Sequence, residues 1–442
     1  MPSVLIKNAR IVTMNAERAV LDGNLLVRDG RIAAIGTIDT EADTTIDADG
    51  SLLIPGLVQT HVHLCQSLFR GQADDLELLD WLRKRIWPLE GAHDEESVYY
   101  SALLGIGEML SGGTTSIVDM ETVHHTKSAF QAIGISGIRA LSGKCMMDFG
   151  DGVPESLMEK TAESLEESAL LCEKWNGAFD GRLSYAFAPR FAVSCSETLL
   201  REVGALSRLY GTKIHTHASE NRGEIELVQS LRGMRNVQYF EQLGLAGKNL
   251  ILAHCIWLDE KELDIIAENG VNVVHCPTCN LKLASGIADV PKMLKRNVNV
   301  SIGTDGAPCN NNLDGFGEMR LTALVHKPAN GPTAMPARTV VEMATLNGAK
   351  AMGLENEIGS LEAGKKADLV LVNVKNMHCT PSSGADVYSQ LVYQARYSDV
   401  TMTMVDGKIV YRDGRLLTID EADCIEKCGE AIVRVKKRAG IS

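Results

Sequence analysis

The sequence is short of positive charge: 44 Lys and Arg face 57 Asp and Glu, a formal net charge of -13 at pH 7. Nucleic-acid backbones and anionic membranes are held by cationic surfaces, so no nucleic acid and no membrane is expected as partner. Small molecules become the expected ligands. No apolar run approaches the length of a membrane span, and the first residues, MPSVLIKNARIVTMN, lack a basic start followed by a sustained apolar core. A cytoplasmic protein is the expectation. Low-complexity segments and solenoid-length repeats are missing too. Proline is sparse, 12 in 442 residues, while 45% of the residues are hydrophobic. That is enough for a large core with an accessory domain.

Cysteine is present but without a disulfide pattern. The 11 cysteines are scattered through a long chain rather than packed into a small one. Cys276-Pro-Thr-Cys279 has the C-x-x-C form yet lacks a second pair at zinc-ribbon spacing, and Cys424 and Cys428 lie near the C-terminus. Ordinary packing as reduced thiols is expected of all of them.

Residues 1–54 alternate short apolar stretches with turns, as in Leu25-Leu26-Val27-Arg28-Asp29-Gly30-Arg31-Ile32. The same strand, tight turn, strand pattern returns at Met404-Val405-Asp406-Gly407-Lys408-Ile409 and at Tyr411-Arg412-Asp413-Gly414-Arg415-Leu416, glycine supplying the turn. Residues 1–54 and 362–442 are therefore expected to build one discontinuous β-sandwich domain. Between them, β-branched runs alternate with helix-like segments: LLIPGLVQTHVHL from 52, TTSIVDM from 114, SGIRALSGK from 136, RLSYAFAPRF from 182, TKIHTHASE from 212, NLILAHCIWL from 249, GVNVVHCP from 270 and NVSIGTDGA from 299. Eight such runs over residues 55–361 fit an α/β fold of the closed (β/α)8 TIM-like barrel type. Each starts apolar and ends polar, at His61 and His63, Asp119, Lys144, Arg190, His217, His254, His275 and Asp305. In such a barrel the C-terminal strand ends converge on one mouth, so residues far apart in sequence can meet there.

Side chains alternate along a strand, so His61 and His63 point to one side and Val62 to the other, giving a two-nitrogen bite for a metal. His215 and His217 share a strand face by the same rule, and alternation alone does not choose between them. His217 is nearer the mouth and leaves Glu220 three residues on, which favours it. Asp305, after the buried run Ser301-Ile302-Gly303-Thr304, offers a hard oxygen. Three neutral imidazoles and a carboxylate around a divalent ion leave about one positive charge, which favours ionised water near neutral pH.

The chain resembles the amidohydrolase superfamily, in particular its aminohydrolase branch, which includes the methylthioadenosine, S-adenosylhomocysteine and 5'-deoxyadenosine deaminases, guanine deaminase and the triazine hydrolases. The resemblance rests on PGLVQTHVHL from Pro55, RGQADDLELLDWL from Arg70, HASE from His217, LAHC from Leu252, HCPTCNLKLASG from His275, GTDGAPCNNNLD from Gly303 and EIGSLEAGKKADLVLV from Glu357. It implies His61, His63, His217 and Asp305 as ligands of a divalent metal, zinc with iron as the other candidate. It also implies Glu220 as proton shuttle and His254 as the strand-six residue that orients the attacking water. Two-metal relatives take a bridging ligand from the fourth strand, commonly a carboxylated lysine. Leu183 to Phe191 contains no lysine, so one metal is expected.

The implied reaction is hydrolysis at a ring carbon bearing an amino group. Glu220 protonates the neighbouring ring nitrogen and then the departing amine, while Asp305 or His254 holds the proton of the water. A non-catalytic interaction protein of this fold would be expected to have lost some of these residues, and a triazine dechlorinase would not need Glu220. The pocket residues divide. Gln66 and Arg190-Phe191 resemble guanine deaminase, whereas Trp81 and Glu90 resemble the nucleoside deaminases, in which a carboxylate holds ribose hydroxyls. Lys144 aligns with a basic position that some homocysteine-nucleoside deaminases use, sometimes across a subunit boundary, and a homo-oligomer is expected. Their second arginine has no match here, and Arg190 stands where they commonly carry histidine. The expected substrate is thus a heteroaromatic amine, first 5'-deoxyadenosine or methylthioadenosine, then guanine, with pterins and triazines as further rings.

Overall fold

A computed structural model describes residues 2–441. Eight parallel strands, β1 (Leu57–Val62), β2 (Thr114–Met120), β3 (Arg139–Gly143), β4 (Leu183–Pro189), β5 (Lys213–Ala218), β6 (Leu250–His254), β7 (Asn272–His275) and β8 (Asn299–Ile302), pair in sequence order. The ring is nearly closed. At the seam Val62 bridges Asp305, and the Asp305 N–H donates to the His61 carbonyl at 2.9 Å. The strands are buried along almost their whole length, TTSIVDM in β2 completely. Parallel strands covered on both faces need such continuous apolar runs.

Helices cover the outside. Glu260–Asn269 shows why they start and stop where they do. The Asp259 carboxylate accepts from the Glu262 N–H while the Glu262 side chain answers the Asp259 N–H, and Gly270 ends the helix at φ 67°. Its inner face buries Leu263 and Ile266, each contributing about 1.5–3 kcal/mol by removal from water.

The termini meet in a second sheet, mostly antiparallel. It contains Val4–Val12, Val20–Arg28, Arg31–Gly36, Thr44–Asp47 and Leu52–Pro55 from one end, and Leu369–Val372, Val400–Val405, Lys408–Arg412 and Arg415–Leu416 from the other. Leu52–Pro55 joins the halves, pairing with Val4–Val12 and with Leu369–Val372. Alternation divides its side chains. Leu53, Leu369, Leu371, Met402 and Met404 enter a small core with Ile6, Ile11 and Leu25. Leu52, Ile54, Val370 and Val372 pack into the barrel's core. The β-structure expected as a sandwich is thus one connected sheet with its own small core.

The run LLIPGLVQTHVHL, read from sequence as one strand, is divided at Gly56 between the two sheets. A Cβ there would lie 2.0 Å from Thr115 Oγ1, so only glycine lets the chain pass. Arg139 of β3 reaches the terminal sheet through a two-pronged, buried ion pair with Asp368, at 2.8 and 3.0 Å. The final helix, Glu421–Ala439, lies on Glu95–Ser111, with Arg434 to Glu96 at 2.7 Å. All 11 cysteines are unpaired and buried, as the scattered spacing suggested. No described helix is long and apolar enough to cross a membrane.

Candidate metal centre and active site

His61 and His63 stand at the end of β1, across the barrel from His217 at the end of β5 and beside Asp305 beyond β8. His63 Nε2 lies 3.3 Å from His217 Nε2, and Asp305 Oδ1 lies 3.3 Å from His61 Nε2 and 3.4 Å from His63 Nε2. Backbone carbonyls fix two of the rings. His63 Nδ1 donates to the Met120 carbonyl at 2.8 Å and His217 Nδ1 to the Arg190 carbonyl at 2.7 Å. With Nδ1 carrying the proton, each Nε2 presents a lone pair to the centre. The choice left open by strand alternation is resolved in space: His217 faces His63, whereas His215 sits behind, its Nε2 2.9 Å from His61 Nδ1.

The electrostatics suit a cation. Burial, reinforced by the neighbouring rings, keeps His61 and His217 below the usual imidazole range and lowers His63 to about 3, so all three are neutral donors near neutral pH. Burial opposes the charge of Asp305, but the imidazoles of His61, His254 and His63 outweigh it and hold the carboxyl well below its ordinary range. His61 Nε2 is buried and makes no hydrogen bond. Three imidazole nitrogens and one anionic oxygen converging on one point fit the donor set of a divalent ion, although Asp305 Oδ1 also accepts from the Gly306 N–H at 2.7 Å.

Glu220 and His254 sit on the cavity side. Their closest atoms are 3.5 Å apart, and His254 Nε2 is 3.8 Å from Asp305 Oδ2. Burial pushes Glu220 up to about 7 against the pull of His254. His254 is itself raised: burial opposes its charge, but the carboxylates of Glu220 and Asp305 prevail. The Asn280 amide oxygen accepts from His254 Nδ1 at 2.9 Å and sets that ring's orientation. His254 and Asp305 occupy the left-handed backbone region, at φ 71° and 65°, one that His and Asp visit more readily than most residues. Such strain at about 1–3 kcal/mol per residue is characteristic of functional sites.

A cavity opens onto these groups, lined by residues of both polar and apolar character. Its polar lining is His63, His217, His254, Glu220 and Asp305, and its apolar lining Leu78, Trp81, Leu82, Phe191 and Leu283. Gln66 and Arg190 also reach the wall. Glu90 lies behind it, accepting from Gln66 Nε2 at 2.8 Å and pairing with Arg190 at 2.6 Å. Glu90 thus meets Arg190 and not the open space, and the Arg190 charge is neutralised.

Lys144, expected at the substrate, is elsewhere. It is fully buried, pairs with Glu159 at 2.7 Å and Glu167 at 3.2 Å, and donates to the Val123 carbonyl. The acidic residues that capture it come from a following loop and helix whose course the strand pattern did not reveal.

Residues 52–410 match the amidohydrolase family. The chain belongs to the amidohydrolase family. This amidohydrolase is 42% identical to the 5'-deoxyadenosine deaminase of Methanosarcina acetivorans, covering 99% of this chain and 100% of that one. It is 39% identical to the 5-methylthioadenosine/S-adenosylhomocysteine deaminase of Syntrophobacter fumaroxidans over 96% of each. Among solved structures, an adenosine deaminase from Xanthomonas campestris with bound zinc superposes with a TM-score of 0.92 at 33% identity, covering 98% of both chains.

Several residues of the site were not assigned these places from sequence. His215 and Asn280 orient His61 and His254. Glu224 accepts from the Glu220 N–H at 2.8 Å and reaches the cavity, and Leu82 joins Leu78 and Trp81 in its apolar lining. Spacing carried a signal for two of them: Glu224 is one helical turn beyond Glu220, and Leu78, Trp81 and Leu82 follow the i, i+3, i+4 pattern of one helix face.

Proposed function

We propose that this amidohydrolase is a hydrolytic deaminase of an adenosine-type nucleoside with an uncharged 5' end, 5'-deoxyadenosine or methylthioadenosine, using one zinc ion held by His61, His63, His217 and Asp305. The observation that carries the reading is Glu220: a carboxyl raised to about 7, facing the same cavity as the four-donor cluster and close to His254. Deamination needs such a group, because an amine leaves only after it is protonated. The relatives' names, 5'-deoxyadenosine deaminase and 5-methylthioadenosine/S-adenosylhomocysteine deaminase, point the same way.

Bound zinc supplies Lewis acidity, lowering the pKa of water toward about 7. The rest is the work of side chains. Asp305 Oδ2 and His254 Nε2 hold the proton of the attacking water. Glu220 hands its proton to the ring nitrogen beside the reacting carbon, which keeps negative charge off the ring, then takes up the water's proton held by Asp305 and His254 and passes it to the departing amine. Phe191, Trp81 and the three leucines pack the ring and exclude bulk water.

Charge on the wall selects the far end of the substrate. Arg190 is paired with Glu90, and Lys144 with Glu159 and Glu167, so neither is free to hold the carboxylate of a homocysteine tail. Ammonia release from zinc-loaded protein should be fastest, in kcat/KM, with 5'-deoxyadenosine or methylthioadenosine, slower with S-adenosylhomocysteine, and slower again with guanine. No ammonia from any adenine nucleoside would reject the reading. Guanine is the second reading, because Gln66, Arg190 and Phe191 all reach the cavity wall, and guanine as the fastest substrate would establish it.

A further inference from the structure

The mechanism leaves two thiols unused. Cys279 lies in the short helix Pro277–Lys282 after β7, and Cys309 in Ala307–Asn310 after β8. Both are fully buried and free. Cys279 Sγ, Cys309 Sγ and an Asp305 carboxylate oxygen lie within 4.8 Å of one another, and Cys279 Sγ lies equally close to donor atoms of Glu220 and His254. The thiols therefore border the metal centre at Asp305. The cavity reaches His254, Glu220 and Asp305, so a cation entering it comes within a few ångströms of both sulfurs.

We propose that Cys279, Cys309 and Asp305 form a second cation site, specific for a thiophilic divalent ion such as cadmium, whose occupation inhibits the enzyme. The proposal rests on the assignment of Asp305, Glu220 and His254 above. Tetrahedral zinc, with bonds of about 2.3 Å to sulfur and about 2.0–2.2 Å to oxygen, spaces its donors about 3.5–3.8 Å apart, and the larger cadmium ion spaces them farther, so three donors within 4.8 Å close on it by a short inward movement. Two thiolates favour soft ions, whereas the histidine-rich centre suits zinc.

Charge balances as well. Each ion bound displaces the two thiol protons to solvent, so a divalent cation replaces two protons and the buried net charge is unchanged. The ion inhibits because it draws Asp305 away from the water-side proton and crowds Glu220 and His254. Loss of positioned proton transfer costs about 100-fold or more in rate.

Zinc-loaded wild-type protein titrated with cadmium chloride tests this. The expected results are one cadmium bound per chain in addition to the zinc, an ultraviolet charge-transfer band of a cadmium thiolate, and a fall in ammonia release of about 100-fold. In the Cys279→Ser/Cys309→Ser variant the band and the inhibition should vanish while zinc-supported turnover stays at the wild-type level. A band of equal size in the double variant, or inhibition without a band, would overturn the proposal. Should the variant fold poorly, anomalous scattering from cadmium-soaked wild-type crystals decides the matter: a peak between the two sulfurs supports the site, and none there rejects it. Failure of the deaminase reading looks different, since it leaves the thiolate band in place and abolishes ammonia release with zinc alone.

Discussion

Among single residues, Glu220 bears the most chemical weight. Burial raises its carboxyl to about 7, where it can both give and take a proton. Glu220→Gln keeps the shape and removes the exchange. Turnover should fall by about 100- to 10,000-fold with zinc content unchanged by elemental analysis, and unaltered turnover would remove Glu220 from the reaction. The convergence of His61, His63 and Asp305 on one mouth was legible in the sequence because strand alternation and position at a strand end already constrain them. Their supports were not. His63 and His217 are aimed by the carbonyls of Met120 and Arg190, and a backbone carbonyl has no sequence signature. Lys144 was read correctly as a strand-end cation, but its partner Glu159 was not foreseeable, and the partner determines where the ammonium points.

At the level of elements, the loops after β7 and β8 are braced by one helix, Gly315–Val325. Its Glu318 accepts from Asn310 Nδ2 at 2.8 Å and from the Thr278 N–H at 3.3 Å, tying both cysteine-bearing segments together. Burial raises Glu318 from 4.5 to about 7, against the pull of these hydrogen bonds. A carboxyl whose folded pKa exceeds its unfolded one stabilises most fully below the unfolded value, and that contribution is lost as pH rises through the folded value. Wild-type stability should therefore decline between pH 4.5 and about 7 relative to Glu318→Gln, by about 3 kcal/mol in all. Urea unfolding of both proteins across this range measures it, and parallel pH profiles would contradict it. The sequence disclosed the eight strands as elements but not the seam between β1 and β8. There a Cβ on Gly303 would lie 2.8 Å from the His61 backbone, an approach visible only once the ring is closed.

Across the whole molecule, two sheets must keep a fixed relation for the mouth to hold its shape. The three hairpin phrases near the termini revealed the terminal sheet, yet not its continuity, because the pairing of Leu52–Pro55 with Leu369–Val372 spans most of the chain. The buried pair Arg139–Asp368 ties that sheet to β3. Asp368→Asn leaves the guanidinium with Asp406 at 3.9 Å as its other carboxylate. The expected loss of about 3–5 kcal/mol is that of a broken buried pair, read by urea unfolding, and a loss under about 1 kcal/mol would mark the pair as no more than a surface contact. The central claim is that barrel closure gathers His61, His63, His217 and Asp305 around one catalytic ion. Ammonia release from 5'-deoxyadenosine, followed while the protein is stripped with a chelator and reloaded with zinc, tests it most directly. Activity should vanish on stripping and return in full at one zinc per chain, and ammonia release that is indifferent to the metal would contradict the account.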